Sequence, residues 1–151
     1  MDRLKIYILI MITVAAGVLL QPINTKAAAG EITEPTRVEM TCYYNYTGNV
    51  ARNGQYPRTG TCAYKKQYIG DYLVLVYEDT GDGPGELIGY YEVYDTGYGR
   101  PTKQLKEDGT PYGTLELGLS IDIFQNTLAD CKAFIKAHGD HCYIQVIHAE
   151  G

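Results

Sequence analysis

The sequence predicts a mainly β domain, a small barrel of mixed topology with one short helix near its C-terminus, and three patterns lead there. Six short runs have strand character, and Gly, Pro, Asn and Asp punctuate the intervals between them. The strongest run, Asp71 to Glu78, is apolar from Tyr72 to Tyr77, which predicts burial on both faces, as in a closed barrel. Helical spacing is carried by Leu128, Cys131 and Ile135.

In chain order, Arg37 to Tyr44 alternates, with Val38, Met40, Cys42 and Tyr44 on one face, and predicts the first strand. Tyr46 to Gly60, with Gly48, Asn53-Gly54 and Pro57, reads as a long loop across one end of the barrel. Thr61 to Tyr64 is a short second strand. Asp71 to Glu78 and Glu86 to Tyr94 form a hairpin about the turn Asp79-Thr80-Gly81-Asp82-Gly83-Pro84-Gly85. Tyr98 to Gly113 is polar and broken by Gly99, Pro101, Gly109 and Pro111, so it reads as a second long loop. Leu115 to Phe124 contains the fifth strand. Thr127-Leu128-Ala129-Asp130 has the form of a capped helix N-terminus, Gly139 is a natural stop, and His141 to His148 is the closing strand.

The first 29 residues have a basic start (Arg3, Lys5), an apolar run from Ile6 to Leu20 and the small-residue exit Ala27-Ala28-Ala29. That is the order of a secretory signal peptide, and it predicts a secreted or wall-associated protein with no stable membrane insertion after cleavage. The organisation expected is a leader over 1–29, a lead-in over 30–36 and one domain over 37–151. Cleavage after Ala29 would leave 122 residues and take the formal net charge from −5 to −7. Such an acidic chain disfavours polyanions, so nucleic acid is not an expected partner. Cys42, Cys62, Cys131 and Cys142 all lie beyond the leader, and an even count in an exported chain reads as two disulfides. Three pairings are possible; Cys42–Cys62 and Cys131–Cys142 close the most local loops. His138, His141 and Cys142 cluster in sequence, but the spacing fits no zinc pattern, so no metal or cofactor is expected.

Two acids carry the candidate chemistry. In Ser120-Ile121-Asp122-Ile123-Phe124 the alternation points Asp122 away from the face that buries Ile121 and Ile123. Asp95, in Tyr94-Asp95-Thr96-Gly97, ends another apolar strand at a Gly-rich turn. Two strand-borne carboxylates beside loops are what a small acid/base site needs.

Asp95-Thr96-Gly97 followed by Ile121-Asp122-Ile123-Phe124, a short helix and a last apolar strand resembles the three-aspartate (3D) domain. That domain is related to the catalytic barrel of membrane-bound lytic transglycosylase A and to rare lipoprotein A and expansin-type double-psi β-barrels. The resemblance runs from about Met40 to Ala149. It implies a six-stranded double-psi β-barrel, peptidoglycan glycan strands as substrate, and cleavage of their β-1,4 bonds by lytic transglycosylation; the chain is expected to be a monomer. It makes Asp122 the catalytic acid and Asp95 its orienting, charge-coupled companion. The first family aspartate should fall near Ala63-Tyr64-Lys65, where this chain has Lys65, a departure that also suits a non-catalytic glycan-binding or wall-loosening module.

Aromatic rings at a barrel mouth stack on sugars, and Tyr44, Tyr46, Tyr94 and Tyr98, with Thr96, are the substrate-binding candidates; most of the 15 tyrosines are expected to be packing. A remote alternative is an aspartic protease, prompted by Asp79-Thr80-Gly81 and Asp95-Thr96-Gly97.

Overall fold

A computed structural model describes residues 34–149; the expected leader over 1–29 and most of the lead-in lie outside them. Eight strands form, β1 (Thr36–Tyr43), β2 (Thr61–Ala63), β3 (Tyr72–Asp79), β4 (Pro84–Asp95), β5 (Pro101–Leu105), β6 (Pro111–Gly113), β7 (Ser120–Phe124) and β8 (His141–His148). Six of them pair in the order β1-β7-β2-β4-β3-β8, and β8 returns to β1, so the sheet closes as a barrel. The β1–β7 and β2–β4 pairs are parallel and the other four antiparallel. Closure leaves none of these strands with an unpaired edge.

Period-two alternation fills the interior. Val38 and Met40 of β1, Val74 and Val76 of β3, Ile121 and Ile123 of β7, and Ile144 and Val146 of β8 are buried together. In β3 the intervening Leu73, Leu75 and Tyr77 are half-buried, so the apolar run expected to be buried on both faces buries only one completely.

Among the described residues two α-helices form rather than one, besides a 3-10 turn at Lys66–Tyr68. The single-turn α1 (Thr114–Leu117) precedes β7; Glu116 Oε2 accepts from the Gly113 N–H at 2.7 Å, and Gly118 ends the turn at φ 73°. The predicted helix is α2 (Leu128–His138), where Thr127 Oγ1 accepts from the Asp130 N–H at 3.1 Å. Cys131, Phe134 and Ile135 face the barrel, whereas Leu128 is exposed. The stretch expected to be a loop over 98–113 instead folds on itself as the two-stranded sheet β5–β6 outside the barrel. Gly113 permits this crossing, because a Cβ there would lie 1.7 Å from the Tyr98 carbonyl oxygen. Among the described residues no helix is long and apolar enough to cross a membrane.

Neither expected disulfide pair is brought together, and all four cysteines are free thiols. Cys42 and Cys62 are both register partners of Ile123, one on each side of it. Two strand spacings, about 10 Å, exceed the reach of a disulfide. Cys142 pairs with Glu78, and Glu78 Oε1 holds His138 Nδ1 at 2.6 Å, at the far end of α2 from Cys131. The seven residue steps from Cys131 to His138 span about 10 Å of helix. Cys131 instead meets Cys42, the two lining one shallow groove with Ile135. Burial, then Cys131 and Asp122, push the Cys42 thiol up to about 12.

Oxidation of the folded protein by a soluble disulfide is therefore expected to link Cys42 to Cys131 slowly, leaving Cys62 and Cys142 as thiols. Peptide mapping of a non-reduced digest by mass spectrometry reads the linkage. A Cys42–Cys62 peptide would contradict the β1–β7–β2 register.

Candidate functional site

The site follows from one strand and one irregularity. In β7, Ile121 and Ile123 enter the core, so Asp122 is turned to the opposite face, where its neighbours are Thr41 on β1 and Ala63 on β2. The next strand is out of step. Cys62 pairs with Val93 but Ala63 pairs with Asp95, which makes Tyr94 an extra residue in β4. Without this bulge Asp95, two residues after inward-facing Val93, would share its face. The bulge turns Asp95 outward instead. Thr41, Asp122, Ala63 and Asp95 thus form one row across four strands, and the backbones of the two acids are about 10 Å apart with the small Ala63 between them.

The loop from Tyr44 to Gly60 straps this row. Asn53 N–H donates to the Tyr94 carbonyl at 3.0 Å, and Asp95 Oδ1 accepts from the N–H groups of Arg52 at 3.2 Å and Thr96 at 2.8 Å. Asp95 is thereby held as an acceptor. The Thr41 hydroxyl donates to Asp122 Oδ1 at 2.9 Å. Burial raises the pKa of Asp122 to about 6, the charge of Asp95 adds to the rise, and the Thr41 hydrogen bond opposes it.

Tyr43 stands two residues past Thr41 on the same face, edge-on to Phe124 with ring centroids 5.4 Å apart. Its Oη is buried and has no hydrogen-bond partner among the described residues. Burial raises its pKa, with the charge of Asp95 next in importance and those of Cys62 and Asp122 after it. A phenol left unsatisfied beside two carboxylates is a buried donor held in their field.

A cavity of about 700 Å³ opens at the Asp95 end of the row, lined by Arg52, Lys65, Lys66, Thr96, Tyr98 and Glu116 among others. Of the sequence candidates, Asp122 and Asp95 share the row, and Thr96 and Tyr98 line this cavity. The Tyr98 hydroxyl donates to the Pro111 carbonyl at 2.8 Å, which fixes the ring against the β5–β6 arm. Tyr94 is 7% exposed, under the Arg58 guanidinium, and packs rather than lines. Tyr44 and the 80% exposed Tyr46 touch each other on the strap, away from the cavity lining. Tyr43, Arg52 and Lys66 escaped the sequence reading. The signal for Tyr43 was its spacing of two from Thr41.

Among the described residues no three His, Cys, Asp or Glu side chains converge on one point. His138 is engaged by Glu78 and His141 by Asp140. Asp79 and Asp95 lie at opposite ends of the β3–β4 hairpin, Asp79 opposite Pro84 at its tip.

The raised pKa of Asp122 makes a stability prediction. Its folded value, about 6, lies above the ordinary 3.8, so the native state holds this proton more tightly than the unfolded chain. The contribution of this proton to stability is complete below about pH 4 and is lost as pH rises through 6. Asp122→Asn, which keeps an acceptor for Thr41, should gain on the order of 2 kcal/mol over the parent at pH 7.5, the difference vanishing below pH 4. Urea denaturation at both pH values measures it, and an equal difference at both would show that Asp122 is not the group responsible. Comparison of the chain with protein-family models, curated proteins and solved structures returned no match.

Proposed function

We propose that this chain is a secreted, cell-wall-active protein of the three-aspartate kind, a double-psi β-barrel that cleaves the β-1,4 bonds of peptidoglycan by lytic transglycosylation. The observation that carries the reading is the Asp122 carboxyl, raised to about 6 by burial and by Asp95 on the same face of the sheet. A carboxylic acid that keeps its proton near neutral pH is what protonation of a glycosidic oxygen requires. Two parallel strand pairs within a closed six-stranded ring support the double-psi connection.

In this mechanism the Asp122 proton passes to the bridging oxygen as the C1–O bond breaks, and the leaving sugar departs with a free 4-hydroxyl. Asp122, now a carboxylate, accepts the proton of the 6-hydroxyl of the sugar that keeps C1, and that oxygen bonds to C1 to give the 1,6-anhydro product. The attack is intramolecular, so positioning supplies much of the rate. Asp95, fixed by two N–H groups, keeps the Asp122 proton in place by its charge and stabilises positive charge developing at C1.

A second reading rests on Lys65, which lines the cavity where the family resemblance expects an acid: a barrel of the same kind that binds glycan without cutting it.

Product analysis of peptidoglycan incubated with the mature protein separates the two. Anhydro-muropeptides are expected, reduced at least about 100-fold by Asp122→Asn. The rate should fall as pH rises through about 6, where Asp122 loses its proton. Intact glycan sedimenting with bound protein would establish the binding module and remove the enzyme.

A further inference from the structure

The cations of this acidic chain are unevenly matched. Arg37, Arg58, Arg100 and Lys106 each pair with a carboxylate, namely Asp79, Glu92, Glu39 and Glu116. Among the described residues Arg52, Lys65, Lys66, Lys103, Lys132 and Lys136 have no ion-pair partner, and of these Arg52, Lys65 and Lys66 line together the cavity that opens beside Asp95. They come from two separate segments, the strap and the turn after β2, so folding gathers them.

Lys65 is also held in place. Its stem lies across Gly118, where an added Cβ would stand 2.8 Å from Lys65 Cδ and 2.7 Å from Tyr64 Oη. The Tyr64 hydroxyl donates to the Gly118 carbonyl at 3.2 Å, which seats that turn against the barrel. Gly118 has φ +73°, so glycine suits both its backbone and the space.

The acids near the cavity do not neutralise the three cations. Glu116 is engaged by Lys106 Nζ at 2.9 Å and by the Gly113 N–H at 2.7 Å. Asp95 points its Oδ1 at the Arg52 and Thr96 N–H groups. The concave wall that carries Arg52, Lys65 and Lys66 therefore sets three cations against the single charge of Asp95, and its concavity strengthens the resulting positive potential. Thr96 and Tyr98 line the same space and supply a hydroxyl and a ring face.

We propose that this cavity is a carboxylate-binding subsite that selects saccharides bearing an acidic substituent, with Lys65, Lys66 and Arg52 holding the carboxylate and Tyr98 lying under the sugar. The saccharide half rests on the function proposed above; the carboxylate half rests on the cations alone. Lys65 then has a positive role, as a ligand for a substrate anion.

The test uses N-acetylmuramic acid, whose single charge is its lactyl carboxylate, against its methyl ester and against free lactate. Amide resonances at 52, 65–67 and 96–98 of the mature protein are followed by NMR titration. The acid is expected to saturate them at a concentration about tenfold below the ester. Lys65→Gln/Lys66→Gln should abolish that preference, with the rest of the spectrum unchanged as a check on folding. Asp122→Asn should retain it. Equal response to acid and ester, or no response to either, overturns the subsite. Free lactate saturating at the same concentration as N-acetylmuramic acid would keep the anion site and remove the saccharide, which separates failure of the glycan reading from failure of this one.

Discussion

The site depends on a single surplus residue in β4. Because Tyr94 has no counterpart in β2, Asp95 reaches the face that Asp122 already occupies, and Ala63 between them is small enough to leave the space open. Regular pairing would send the Asp95 carboxyl inward among Val93, Ile123 and Val74, where no charge could be hydrated. The bulge thus decides both the stability of the barrel end and the coupling of the two acids. Everything else at the site adjusts to that row: the strap that donates N–H groups to Asp95, Thr41 beside Asp122, and the phenol of Tyr43 above them.

Closure of the barrel makes the row rigid. Each strand that bears a site residue is paired on both sides, so neither acid sits at a fraying edge. Burial that raises the Asp122 pKa also works against the folded state near neutral pH, the usual relation between a perturbed acid and the fold around it. The β5–β6 arm adds a wall. It is tied to the barrel by Arg100 with Glu39 and to α1 by Lys106 with Glu116, and it places Tyr98 opposite the cations of the turn after β2.

Much of this was legible in the sequence, for local reasons. The alternation of Ile121, Asp122 and Ile123 gave the direction of the acid, and Thr127 with Asp130 gave the start of α2, because both signals are completed within a few residues. Features that need two distant segments were not legible. A bulge is a property of a strand pair, so nothing in Tyr94-Asp95 announces it. The cysteine pairing failed for the same reason, since closeness in sequence placed Cys42 with Cys62, whereas the sheet inserts β7 between them. The arm over 98–113 looked like a loop because its strands are short and polar. Tyr44 and Tyr46 were chosen for their nearness to a loop, while Tyr43, at the end of β1, holds the buried hydroxyl.

The most direct test of the account is a carbon-13 NMR titration of the Asp122 carboxyl in the parent protein and in Asp95→Asn. If the two acids share one face and Asp122 is desolvated there, the parent midpoint lies near 6 and falls when the charge of Asp95 is removed. A midpoint in the ordinary aspartate range, about 4, and unmoved by Asp95→Asn, would contradict the shared row and the acid built on it.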